Sequence, residues 1–311
     1  MQYFELSLPS GGIVSGRHTL PTLSQDRGHR TPLIVALHGG SYTSQYFDVN
    51  STLSAGPVSS MTGVPFIAID RPCYKNTSTV LPLPEGVSFF EAWGRCLHCE
   101  ILPSLWQRFG VPYNCAAVVL LCHSLGSPGG CVAASLHASE NHHTYPLSGI
   151  ILSGFGSDNA FRIRKENQTL CLEDEPKSVS IPLAIKDSTM IPLGTVHPSV
   201  YNYSKLLDHP MPIDECRMAT KWFPFWRHQW ASNIAVPVMT ALGERDCVFM
   251  PSPDHLRDFA AAFSSSARVD TSIIPGAPHS LELSFWSRGW YMRCFGFALE
   301  CVASFERAEA N

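Results

Sequence analysis

The chain has 311 residues, 45% hydrophobic and 15% charged, a balance that allows a sizeable buried core and excludes disordered or collagen-like classes. Its 22 basic and 26 acidic residues are spread along the sequence for a net charge of -4, with no Lys/Arg cluster to neutralise phosphates, so nucleic acid is excluded as a partner. No window reaches the roughly 18 uninterrupted apolar residues of a membrane span.

In chain order, the opening MQYFELSLPSGG has neither a basic n-region nor an apolar h-region, and no secretory signal is expected. Strands are expected at 2–8 and 12–20, joined by the turn Pro9-Ser10-Gly11-Gly12. PLIVALHGG (32–40) is a short continuous apolar run ending in glycines, as a fully buried strand should be, and VPFIAIDRP (64–72) repeats that form. Phe89, Trp93, Leu97 and Ile101 recur every four residues and predict an amphipathic helix over 88–109, which Pro103 should kink or split. Then come a buried strand at 116–123, a small-residue helix at about 125–139 and a strand at 147–155.

Residues 156–233 break this rhythm with charged and proline-rich pieces and the aromatic cluster KWFPFWRHQW (221–230). Alternation resumes with a strand at 236–246, a helix near 252–263, a strand at 268–279 and a closing helix at about 284–305. Strands alternating with helices predict an α/β protein: a mostly parallel central sheet with helices on both faces. The expected organisation is one core, 1–155 and 234–311, interrupted by a lid or cap insertion at 156–233.

Eleven cysteines occur without pattern, which fits free thiols in a reducing compartment and a cytoplasmic location; the N-x-[ST] tripeptides at Asn50, Asn76, Asn167 and Asn202 are then unused. Cys96 and Cys99 have CxxC spacing but no second ligand pair at zinc-finger distance, so they read as a helix face and no metal is expected.

Ser124 stands in Cys122-His123-Ser124-Leu125-Gly126, directly behind the buried strand AAVVLLCH. A serine hydroxyl is a weak nucleophile and needs a base, an acid to orient that base, and donors for the oxyanion. Asp246 ends the strand VPVMTALGERD, His279 follows TSIIPGAP, and His38-Gly39-Gly40 closes PLIVAL. The adjacent histidines are read otherwise: His123 packed behind the site, His38 bracing the oxyanion loop. Cys122 and Cys247 are read as core fillers and Asp70 as a structural residue of the Asp-Arg-Pro turn.

This order of nucleophile, acid and histidine with an upstream HG loop resembles the α/β-hydrolase superfamily, serine-nucleophile branch, over nearly the whole chain. The resemblance implies an α/β-hydrolase fold, a triad of Ser124, Asp246 and His279, and an oxyanion hole from the backbone N–H groups of Leu125 and of Gly40 or Ser41. It needs no cofactor. The sequence departs from the family's G-x-S-x-G in carrying Cys122 in place of the first glycine, and in the Pro128 that follows the elbow. Epoxide hydrolases and haloalkane dehalogenases of the superfamily carry aspartate where Ser124 stands, so an ester, thioester, lactone or amide carbonyl is the better substrate.

Gly39, Trp222, Phe223 and Trp226 are read as substrate-binding, with Phe225 and Trp230 in the same lid cluster and lid core an equal alternative for any single aromatic, for a medium-sized hydrophobic acyl substrate. The chain is also similar to cofactor-free hydrolases of fungal specialised-metabolite pathways. The same triad is compatible with acyltransferase or cyclase chemistry and with C–C bond hydrolysis, and the fold with a non-catalytic ligand-binding protein.

Overall fold

A computed structural model describes residues 1–22, 30–157 and 177–309. The strands are β1 (Gln2–Ser7), β2 (Ile13–Thr19), β3 (Thr31–Leu37), β4 (Phe66–Ile69), β5 (Cys115–His123), β6 (Leu147–Ser153), β7 (Ser178–Val179), β8 (Met211–Pro212), β9 (Val238–Gly243) and β10 (Val269–Ile274). Among the described residues one eight-stranded sheet runs in the order β1-β2-β4-β3-β5-β6-β9-β10. β1 and β2, and β2 and β4, pair antiparallel; every other neighbouring pair is parallel.

Parallel strands buried on both faces read as unbroken apolar runs, and β3, β5 and β6 do. Period-two alternation divides their side chains between two cores. Leu33, Val35 and Leu37 join the face covered by helices Phe89–Cys96 and Ser127–Ser139; Ile34 and Ala36 join the face covered by the closing helix Ser287–Glu309. These are the expected α/β-hydrolase layers, with strand ends a few residues inside the expected bounds.

Two details differ from expectation. Pro103 does not break the helix that begins at Phe89; wide i→i−5 turns at Leu97–Ile101 and Trp106–Gly110 flank Leu102–Leu105 and keep the chain helical. Widening the turn relieves the clash between a proline ring and the carbonyl four residues back. A helix at Gly56–Thr62 was not expected, because its short segment carries little apolar periodicity. Its available signals are Pro57 in the first turn and Gly63 at φ 69° just past the end.

β6 and β9 are hydrogen-bonded neighbours, so the residues between them form an insertion in the sheet's order. Residues 158–176 of that segment, with the tripeptide at Asn167, lie outside the described residues. The rest holds the β7–β8 ribbon, a helix at Leu183–Met190 and short turns through 233. Among the described residues no helix is long and apolar enough to cross a membrane.

Buried histidines make the fold sensitive to acid. Burial holds His137 down at about 4 and also lowers His38 and His123. The unfolded chain, with histidines near about 6.5, then binds more protons than the native state, and stability falls as pH drops through that window. The melting temperature is expected to fall between pH 6.5 and 4, and more gently in His137→Gln, as measured by thermal unfolding across pH.

Candidate active site

β5 ends at His123, and the chain turns at once into the tight turn Ser124–Gly126 and the helix Ser127–Ser139. Ser124 sits at φ 48°, in the left-handed region. For a residue with a side chain that conformation costs about 1–3 kcal/mol and persists only where the surroundings enforce it. The enforcement is close packing. A methyl group on Gly126 would lie 2.5 Å from the Leu37 carbonyl oxygen and 2.8 Å from that of His38. A methyl on Gly129 would lie 2.3 Å from the Trp93 ring.

Cys122, which departs from the family's glycine, is buried, and a methyl on Gly130 would lie 2.4 Å from its sulfur. The space the motif normally keeps free at the first position is here supplied from the helix, one turn past the elbow. Pro128 falls in that helix's first turn, where its missing N–H leaves no bond unmade.

The Ser124 hydroxyl donates to His279 Nε2 at 2.9 Å, and His279 Nδ1–H donates to Asp246 Oδ2 at 2.9 Å. The other Asp246 oxygen accepts from the backbone N–H of Val248 at 2.7 Å and of Phe249 at 2.9 Å. Asp246 and His279 are fully buried and Ser124 is 8% exposed. Sheet topology makes this meeting possible: β5, β6, β9 and β10 run parallel, so the residues just past β5, β9 and β10 gather at one edge.

Behind these three residues, His123 stacks on Tyr46 (centroids 4.6 Å apart) and lies 5.2 Å from the His279 ring. Its Nδ1 meets Ser153 Oγ at 3.0 Å, and Ser153 donates to the buried Glu282 at 2.8 Å. Glu282 also accepts from Tyr46 Oη at 2.7 Å and Trp290 Nε1 at 2.8 Å. Nothing along the chain singles out Glu282; its nearest signal is a place three residues after His279.

The loop Gly39–Ser41 approaches from the end of β3. A methyl on Gly39 would lie 3.1 Å from Ser124 Cβ, and one on Gly40 would lie 2.6 Å from Leu125 Cδ1 and 3.2 Å from Met211 Sδ. The Gly39 carbonyl accepts from His38 Nδ1–H at 2.8 Å and from Arg71 Nη2 at 3.1 Å. His38 Nε2 accepts from the Arg71 backbone N–H at 3.1 Å, which fixes the ring's tautomer. Burial, then the Arg71 charge, pushes the His38 pKa down and keeps the ring neutral.

Ser41 needs correction as an oxyanion donor. At φ 55° its N–H is turned to the Tyr74 hydroxyl, 3.3 Å away. That leaves Gly40 of the two loop candidates. Arg71, which no sequence motif marks as functional, makes a fully buried ion pair with Glu215 (Nη1 to Oε1, 2.5 Å). Arg71 follows Asp70 in the strand-end turn, but nothing in the sequence points to a partner 144 residues away. Asp70 is structural: its carboxylate accepts from Ser15 Oγ and Ser44 N–H, both at 2.7 Å.

The aromatic cluster is placed differently from expectation. Trp222 and Trp226 are buried, Trp222 against Phe90 and Trp226 stacked on Phe259, and with Phe223 and Trp230 they belong to the main core. Burying four large side chains against the core outweighs leaving them free to face a ligand. They anchor the insertion in the core, and Phe225 is 54% exposed. Cys247, expected in the core, is exposed.

A family model described as the alpha/beta hydrolase family matches residues 34–288. The chain belongs to the alpha/beta hydrolase family. Solved structures similar to this hydrolase-family chain include a monoacylglycerol lipase from Paleococcus ferrophilus, at 15% identity and a TM-score of 0.62, covering 97% of this chain and 100% of that one. An esterase from Exiguobacterium antarcticum matches at 13% identity and a TM-score of 0.62 over 94% of this chain and 98% of that one. An esterase from a Rhodococcus species matches at 17% identity and a TM-score of 0.59 over 96% and 98%. No curated protein matches the chain. At these identities the likeness speaks for the fold.

If Gly130 keeps room for Cys122, Gly130→Ala destabilises the protein by about 1–3 kcal/mol through overpacking. Adding Cys122→Gly should recover most of that loss, measured by chemical denaturation of the single and double variants.

Proposed function

We propose that this chain is a serine hydrolase that cleaves an ester, thioester or lactone of a medium-sized hydrophobic small molecule through an acyl-enzyme. One observation carries the reading: the continuous hydrogen-bonded chain from Ser124 through His279 to Asp246. In it His279 removes the Ser124 proton as the oxygen attacks the substrate carbonyl, and the resulting imidazolium gives that proton to the leaving group. Water then repeats the sequence on the acyl-enzyme. Asp246, held by two backbone N–H groups, keeps His279 in the tautomer whose Nε2 faces serine.

The developing oxyanion is met by the backbone N–H groups of Gly40 and Leu125. Such a donor contributes about 10²–10³ in rate. The chemistry needs neither metal nor organic cofactor. Leu125 and Met211, close around Gly40, offer an apolar wall for the acyl group, and Gly39 lets the loop approach Ser124. The described part of the insertion, residues 177–233, is proposed as a lid over this site. The similarity to cofactor-free hydrolases of fungal specialised-metabolite pathways suggests a specialised metabolite as the substrate.

A fluorophosphonate probe should add once to the wild-type chain, at Ser124, and not at all to Ser124→Ala, as read by intact mass and peptide mapping. An adduct that persists in Ser124→Ala would sink the assignment of the nucleophile.

A further inference from the structure

The residues around the Gly39–Ser41 loop are of an unusual kind for a turn: buried charges contributed by the insertion. Lys186, from the helix Leu183–Met190, is 2% exposed, and its ammonium donates to the Ser41 carbonyl at 2.6 Å, to the Leu207 carbonyl at 3.0 Å and to Asp208 at 2.9 Å. It also lies 4.1 Å from the centre of the Tyr42 ring. The His209 backbone N–H donates to the same Ser41 carbonyl at 3.1 Å. Glu215 accepts from Tyr74 Oη at 2.8 Å, and that hydroxyl accepts from the Ser41 N–H. Glu215 also pairs with both Arg71 nitrogens, one of which holds the Gly39 carbonyl.

Lys186, Arg71, Tyr74 and Glu215 lose hydration by burial, and a buried ion pair contributes little net stability compared with well-packed apolar residues. Their arrangement does something apolar residues cannot, which is to specify which way peptide groups point. In a trans peptide the carbonyl and the next N–H are opposed. With the Gly39 carbonyl held on Arg71, the Gly40 N–H must point away from Arg71. With the Ser41 N–H held on Tyr74 and its carbonyl on Lys186, the left-handed φ of Ser41 cannot relax.

We infer that the insertion, through Glu215 and Lys186, is the positioning element of the oxyanion hole: it holds the Gly39–Ser41 loop so that the Gly40 N–H faces the oxygen developing on a Ser124 adduct. The inference rests on the acyl-transfer reading above. Arg71 and Tyr74 relay the hold from Glu215 to the loop, and Lys186 applies it directly. Seating the insertion and completing the hole are then one event. An insertion lifted from the core leaves a serine that still has its base but lacks one of its two oxyanion donors.

The test uses the full chain with two variants. Arg71→Met/Glu215→Leu replaces the buried pair by apolar residues of similar volume, an exchange that proteins commonly tolerate; Lys186→Met removes the second hold. With a short p-nitrophenyl ester, kcat is expected to fall about 10²-fold in either variant, with KM within about threefold and the melting temperature near that of the wild type. The affinity of a boronic acid, whose Ser124 adduct places an oxygen in the hole, should fall in parallel with kcat/KM. Variants that keep kcat within threefold of the wild type overturn the inference and leave the acyl-transfer reading intact. So does a kcat loss without a matching loss of boronate affinity. If the paired variant fails to fold, Lys186→Met alone decides between these outcomes, and Tyr74→Phe, which deletes a single hydroxyl, decides if both do. A wild-type chain without Ser124-dependent turnover overturns the underlying reading and this inference with it.

Discussion

Ser124 is held in a left-handed backbone conformation at the end of a fully buried strand, and much of the molecule is arranged around that constraint. A side chain in that region relaxes unless the chain on both sides is immobile. On one side β5 is pinned between β3 and β6 by parallel ladders. On the other the helix Ser127–Ser139 is pressed so close to β3 and to the helix Phe89–Cys96 that Gly126, Gly129 and Gly94 have no room for a methyl group. The same closeness explains how Cys122 is accommodated. The sulfur occupies the volume that Gly130 leaves open, so the motif's missing glycine is recovered four residues after the second.

The electrostatics follow a related logic. Asp246, Glu282 and Glu215 are buried near the site, and each carboxylate is satisfied in its own way. Asp246 accepts two backbone N–H groups and His279. Glu282 collects Tyr46, Ser153 and Trp290 behind His123. Glu215 faces Arg71 and Tyr74. A buried carboxylate left without such partners costs several kcal/mol, so these sets constrain the positions of the residues they join. Through them the loop beside Ser124 is tied by Arg71 to Glu215, and the His123 ring behind His279 is tied by Ser153 to Glu282.

Much of the fold was legible along the chain because parallel strands buried on both faces need continuous apolar runs, and 32–40, 116–123 and 147–155 supply them. The positions of Ser124, Asp246 and His279 were legible for a related reason, since residues just past parallel strands share an edge. The helix Gly56–Thr62 escaped because seven residues hold too few apolar positions to show a period. Trp222, Phe223 and Trp226 were read as pocket residues because aromatic character is the same in a pocket wall and in a core. Only their neighbours, Phe90 and Phe259 among them, distinguish the two.

By itself the sequence determined the alternation of strands and helices, the order of Ser124, Asp246 and His279 along the chain, and the residue types available at each strand end. These follow from local patterning and from chemistry that belongs to single side chains. Tertiary structure alone decided that Ser41 turns its N–H to Tyr74 while Gly40 packs against Leu125, that Gly130 makes room for Cys122, and that Arg71 meets Glu215. Each is a relation between residues far apart in the chain, or a backbone dihedral set by such relations. Patterning along one dimension does not encode which distant groups come within 3 Å of each other.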